Sequence, residues 1–307
     1  MIDGFDVIGD VHGHADKLTA LLDKMGYTNR AGSWAYPRRQ AVFVGDLIDN
    51  GPQQLATVDI VRDMEASGAA LVAMGNHEFN AIAWHYGWRE RSEKNHKQHK
   101  AFLNEVAKKP ALHADIISWF TRLPLWFELG GLRVTHACWD ERSMAVLSPH
   151  LADDNSMSED GLKAAATKLT AEHNAVEILL KGPEVSLPSE LGYFDKTEHL
   201  RTHARYRWWS DEPPTYRHRA HLPSDALGVD RQPHPGFPDT DLPTPLSVAS
   251  YQGPPVIYGH YWQTGALRLT SPNSVCVDYS AGKGGPLVAY RWSGETTLTD
   301  ANLVAAP

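Results

Sequence analysis

Apolar and polar positions follow two rhythms in the first part of the chain. Short apolar runs at Phe5–Ile8, Ala41–Val44 and Ala69–Ala73 each break off into a polar loop. Between the first two, Leu18, Leu21, Leu22 and Met25 fall at helical spacing. Gly26 stands where that helix should end. A second helix is predicted from about Pro52 to Ala66, with proline near its first turn and Gly68 beyond its last. Strand, helix and strand in this order predict βαβ units and a mostly parallel sheet.

Residues 78 to about 122 read as helical, with a polar, solvated stretch at Arg89–Lys100; His85, His96 and His99 lie outside any strand-end setting and read as structural. Leu125–Leu129 and Leu132–Thr135 predict a hairpin around Gly130–Gly131 that delivers His136. Gly161–Lys181 has the pattern of one more helix, and the chain to about residue 254 is dense in Pro, His and Arg with proline-bounded turns. Strand patterns return at Val256–Tyr258, Val275–Val277 and Leu287–Tyr290. The expected organisation is one α/β domain over residues 1–307, with 140–254 as an insertion or cap.

Composition sharpens this picture in a few places. With 42% hydrophobic and 21% charged residues, the 307-residue chain can bury a sizeable core. A formal charge of −8 offers no general attraction to long nucleic acid or to an anionic membrane surface. The start, MIDGFDVIGDVHGH, has no basic segment followed by an apolar one, and no run of ~18 apolar residues follows, so a cytoplasmic protein is expected. Cys138 and Cys276 are too few for a disulfide framework and read as small buried apolar residues.

The chemistry sits where the apolar runs end. Ile8–Gly13, Gly45–Asp49 and Gly75–Glu78 are short polar loops at three successive strand ends, and Thr135-His136 and Gly259-His260 close two more. In an open α/β sheet such loops converge on one crevice. Asp, His and Asn together offer hard oxygens and imidazole nitrogen, a set suited to Mn, Fe, Zn, Ni or Co. Asp49 precedes Pro52 and could equally cap the second helix.

These motifs resemble those of the calcineurin-like metallophosphoesterase superfamily, and within it the phosphoprotein phosphatases and bacterial diadenosine tetraphosphatases. The family pattern GDxHG, GDxxDRG, GNHE, a later His and a final GH appears as Gly9–Gly13, Gly45–Gly51, Gly75–Glu78, His136 and Gly259–His260. The closing stretch Val277–Gly282 with Gly284–Gly285, and Trp209-Ser210-Asp211, are also similar to phosphatase segments. The resemblance implies a four-layer αββα sandwich with a cap before the last metal-ligand loop. It implies two divalent ions, manganese foremost: one on Asp10, His12 and Asp46, the other on Asp46, Asn76, His136 and His260. It implies attack on phosphorus by water that the two ions activate, with His77 as the proton donor and Asp49 as its orienting partner.

One position departs from the pattern, since Asn50 stands where the phosphatases carry a phosphate-gripping arginine. His199, Arg201, His203, Arg205 and Arg207 recur at period two and would give one strand a basic face that could hold phosphate in its place. Arg217 and Arg219 are further cations, and Tyr206, Trp208 and Trp209 could stack on a ring, although aromatics in such a run more often pack the core. The expected activity is hydrolysis of phosphate monoesters, in phosphorylated proteins or small esters. The alternative is a nucleotide phosphodiesterase or dinucleoside polyphosphate hydrolase.

Overall fold

A computed structural model describes residues 2–30, 32–194, 198–223, 226–243 and 250–307. The chain divides into two compact units, Met1–Lys181 with Gly253–Pro307, and Gly182–Gln252. Residues 140–181, which the sequence pattern places in the insertion, belong to the first unit.

The apolar runs become strands as expected: β1 (Gly4–Ile8), then a small hairpin of β2 (Thr28–Arg30) and β3 (Ser33–Ala35), then β4 (Arg39–Phe43) and β5 (Ala70–Val72). Helix α1 (Ala15–Lys24) buries Leu18, Leu21 and Leu22 and stops before Gly26, whose φ of 85° favours glycine. Helix α2 (Gln54–Ala66) starts two residues after Pro52. The 78–122 region is three helices, α3 (Asn76–His85), α4 (Glu93–Val106) and α5 (Pro110–Phe120). Strands β6 (Trp126–Leu129) and β7 (Leu132–Thr135) form the expected hairpin, with positive φ at both Gly130 and Gly131. After α6 (Glu141–Leu147), the single helix expected at 161–181 is two, α7 (Glu159–Ala166) and α8 (Ala171–Lys181), broken near Leu169, which has φ of 71°.

The second unit holds β8 (Glu184–Ser186), β9 (Tyr193–Phe194), β10 (Leu200–Arg201), β11 (His203–Tyr206), the short α9 (Tyr216–Arg219), β12 (Ala220–His221) and β13 (Leu227–Gly228). The basic run is not one strand. Leu200–Arg201 pairs with β9, whereas His203–Tyr206 pairs with β8 and β12 in a different sheet, so Arg201 and Arg205 do not share one strand face. Tyr206, Trp208 and Trp209 are buried, and Trp208 packs edge-on against both Trp209 and Tyr251. They build the unit's core, the more frequent role of aromatics in such a run. Arg219 is buried too, with Nε donating to the Glu212 carbonyl at 2.7 Å and Nη2 to Ser250 Oγ at 2.8 Å.

In the first unit the chain resumes with β14 (Val256–Tyr258), β15 (Ser274–Cys276), β16 (Leu287–Trp292) and β17 (Leu303–Ala306). One sheet runs β17-β16-β1-β4-β5 and the other β15-β14-β7-β6. Both are mixed rather than mostly parallel: β1, β4 and β5 are parallel, as are β7, β14 and β15, while β16, β17 and β6 run antiparallel to their neighbours. Val7, Val42 and Val288 of the first sheet share a dry core with Val134, Ile257 and Val275 of the second, so the sheets stack face to face. Both cysteines are buried and free. No described helix is long and apolar enough to cross a membrane.

Candidate active site

Register explains why distant sequence motifs meet. Ile8 pairs with Phe43 and Phe43 with Val72, so β1, β4 and β5 end side by side and release the Asp10, Asp46 and Asn76 loops together. In the second sheet Tyr258 pairs with Thr135, which brings His260 beside His136. The rings of His136 and His260 are 5.2 Å apart.

The loops turn sharply. His12, Asp46, Asp49, Asn50 and His260 all have φ between 50° and 72°, a left-handed backbone that non-glycine residues keep only where their surroundings enforce it. Two glycines permit the close packing this requires. A Cβ on Gly75 would lie 2.3 Å from both the amide nitrogen and Oδ1 of Asp46, and one on Gly259 would lie 2.1 Å from Asp10 Oδ1.

Asp46 is the hub. Its Oδ2 lies 3.7 Å from His12 Nε2 and 3.8 Å from His77 Nε2, and its Oδ1 lies 3.5 Å from His136 Nε2. The Asn76 side-chain oxygen is 3.1 Å from His136 Nε2, and Asp10 accepts from the His260 amide at 3.2 Å. Two triads, His12-Asp46-His77 and Asp46-His136-His260, bring their ligand atoms within 4.8 Å of one another. Backbone carbonyls set the ring tautomers: His12 Nδ1 donates to Ile48 O at 3.0 Å and His136 Nδ1 to Val44 O at 2.9 Å. Each Nε2 then keeps its lone pair, the arrangement found behind metal-binding imidazoles.

Electrostatics point the same way. Burial, then the neighbouring Asp278 and Asp46 carboxylates, push Asp10 well above the usual carboxylate range. Burial pushes Asp46 up to about 7, although His77 pulls it down, and burial with the nearby His77 lowers His12 to about 3. A divalent ion pair would relieve this crowding of buried carboxylates while taking the exposed lone pairs of neutral imidazoles, so the donor set fits such ions.

Asp49 does not cap α2, whose first amides at Gln54 and Leu55 donate to Glu105 instead. Its Oδ2 accepts from His77 Nδ1 at 2.6 Å and from His99 Nδ1 at 2.8 Å. Burial would raise Asp49, yet these two hydrogen bonds hold it below its usual value. Burial would lower His77, but Asp46 and Asp49 outweigh it and raise the imidazole to about 9.

Some residues here escaped the sequence reading. Glu78 is fully buried and accepts from the amides of Gly75, Asp46 and Leu47 at 2.8–2.9 Å, tying the Asp46 loop to the start of α3. His99 is 1% exposed within the stretch expected to be solvated. Its signal was present, since His99, Phe102 and Val106 form a buried helical stripe on α4. Arg89 donates from Nη2 to Gln98 at 2.8 Å, feels the charges of Asp49 and Glu177, and has a buried Nη1 without a hydrogen-bond partner among the described residues. Of the expected substrate-binding residues, Asn50 is exposed beside Asp49 in the first unit, while Arg201, Arg205 and Arg207 lie in the second.

Two stacked sheets thus release carboxylate and imidazole loops around one buried aspartate, Asp46. The family model for calcineurin-like phosphoesterases, hydrolases of phosphoric ester bonds, matches residues 5–261, and the chain belongs to that family. Among curated proteins it is 34% identical over 140 residues to an asymmetrical bis(5'-nucleosyl)-tetraphosphatase PrpE of Halalkalibacterium halodurans, covering 43% of this chain and 56% of that protein. A symmetrical bis(5'-nucleosyl)-tetraphosphatase of Vibrio parahaemolyticus is 28% identical over 131 residues, 43% of each chain. The chain thus spans about half the length of these relatives. A solved cold-active protein-tyrosine phosphatase of a psychrophilic Shewanella species shares the fold, with a TM-score of 0.53 at 17% identity over 99% of this chain and 80% of that one. A protein serine/threonine phosphatase from Saccharomyces cerevisiae does likewise, at 0.53 and 15% over 98% and 78%.

Proposed function

We propose that this protein is a metal-dependent hydrolase of dinucleoside polyphosphates, cleaving a P–O–P linkage between two nucleosides. Asp46 carries the catalytic part of this reading, because one buried carboxylate faces His12 on one side and His136 on the other. The substrate class is supported by the tetraphosphatase relatives and by Asn50, which offers no guanidinium for a terminal phosphate. Monoester hydrolysis, the first expectation from sequence, becomes the competing outcome.

Asp10, His12 and Asp46 would hold one divalent ion and Asp46, Asn76, His136 and His260 the other. When bound, such a pair acidifies a water and offsets charge on the phosphoryl oxygens. The chain's own residues do the rest. The carbonyls of Ile48 and Val44 keep His12 and His136 in the ligating tautomer. Glu78 holds the Asp46 loop rigid through three amides. Geometry alone would let His77 join His12 and Asp46 as a ligand. Proton transfer is the role assigned to it instead, because its Nδ1 is hydrogen-bonded to the Asp49 carboxylate, which favours the protonated imidazole. His77 Nε2 would deliver a proton to the departing phosphate oxygen while Asp49 stabilises the imidazolium.

The test is turnover of diadenosine tetraphosphate, p-nitrophenyl phosphate and its bis-ester by metal-stripped protein reloaded separately with Mn, Ni, Zn, Co and Mg. Metal-dependent kcat/KM highest on the tetraphosphate is expected, manganese giving the largest response. Preference for the monoester overturns the substrate class, and the same products on every ester without metal overturn the metal centre.

A further inference from the structure

The His77–Asp49 pair has a third member. Asp49 Oδ2 accepts a second hydrogen bond from His99 Nδ1 at 2.8 Å, so two imidazoles from different helices share one carboxylate oxygen. His77 comes from the first turn of α3 and His99 from the middle of α4. We infer that His99 is a positioning residue: it fixes the Asp49 carboxylate, and through it the direction in which His77 Nε2 points. This inference rests on the role proposed for His77.

A single hydrogen bond would leave Asp49 and His77 free to swing together about the Asp49 side chain, on a loop residue with φ of 72°. His99 removes that freedom because it is itself anchored. It is 1% exposed, its ring meets Phe102 at 5.3 Å, and Phe102 and Val106 continue the buried stripe of α4. The same helix also grips the start of α2, just after the Asp49 loop, for Glu105 accepts from the amides of Gln54 and Leu55 at 2.8 and 2.9 Å. Gln54 in turn accepts from the Asp49 amide at 2.5 Å and donates to the Gly51 carbonyl. Helix α4 therefore holds the Asp49 carboxylate directly through His99 and reaches the loop backbone through the start of α2. Small errors in aim at a reacting group are costly, which gives such a clamp its value.

Two measurements test it. In metal-free protein, nitrogen-15-edited spectra should show hydrogen-bonded ring N–H signals from both His77 and His99. His99→Phe should remove one and shift or broaden the other. In metal-loaded protein, His99→Phe should lower kcat on aryl phosphates with poor leaving groups about tenfold more than on p-nitrophenyl phosphate, with KM and bound metal within about twofold of wild type. His99→Asn, whose amide nitrogen reaches close to the Nδ1 position, should recover most of that loss. Adding His99→Phe to His77→Asn should cost nothing further on poor leaving groups. If the phenylalanine variant does not fold, His99→Met carries the same comparison. An unchanged His77 N–H signal, or an equal loss on every leaving group, overturns the inference. If the metal-loaded wild type turns over neither diadenosine tetraphosphate nor any aryl phosphate, the proposed function fails, while the ring N–H signals still decide whether His99 holds the pair.

Discussion

At the residue scale, Asp46 and His77 sit 3.8 Å apart, and the proposed reaction gives them different tasks. Asp46→Asn keeps the shape of the side chain but removes the charge between the two ligand sets. Metal analysis after gel filtration should find most of the bound metal gone, and activity with it. Full metal and activity in that variant would remove Asp46 from the bridging role. His77→Asn should leave metal content intact and slow esters with poor leaving groups by about 100-fold or more, the range usual for loss of a general acid. These residues were legible in the sequence because ligand chemistry restricts residue type, and the motifs keep Asp, Asn and His at fixed offsets from a strand end. His99 was not, since a histidine inside a polar helix carries no such offset and only its spacing to Phe102 and Val106 marked it as buried.

At the element scale the site depends on strand ends and on the latch between them. Glu78 gathers three backbone amides with one buried carboxylate. Glu78→Gln turns one acceptor into a donor facing a donor, which should cost about 2–3 kcal/mol and lower the melting temperature by several degrees. Weaker metal binding should accompany it, as the Asp46 loop loses its tie to α3; calorimetry with and without manganese reads both. Gly259→Ala places a methyl group where Asp10 Oδ1 lies and should likewise weaken metal retention. Most first-unit strands and helices follow from the apolar pattern. The misreadings have physical causes. Periodicity does not reveal strand direction, so the sheets came out mixed, and a basic alternation over 199–207 does not show that the chain changes sheets after Arg201.

At the scale of the molecule, the buried charge of the site couples to stability. His77 has a folded-state pKa raised from 6.5 to about 9, so the stability it contributes is complete below about 6.5 and is lost as pH rises through about 9. The metal-free protein should therefore lose on the order of a few kcal/mol across that window. A series of thermal melts between those pH values should show the midpoint falling. His77→Asn should flatten the slope, and saturating manganese should reduce it by replacing the proton as the counter-charge to Asp46. A flat profile in the metal-free wild type would show that Asp46 and Asp49 do not hold the imidazolium as described.

The sequence by itself determined the α/β class and the loops that carry carboxylate and imidazole, because these depend on local apolar runs and on residue chemistry. Tertiary structure decided what depends on register and on side chains meeting across long separations. It paired β1 with β4 and β7 with β14 so that five loops share one crevice, set His12 and His136 against distant carbonyls, and buried the tryptophans of the basic run. It also brought His99 to Asp49, 50 positions away, a contact that no local pattern encodes because it exists only once α4 has packed against the start of α2.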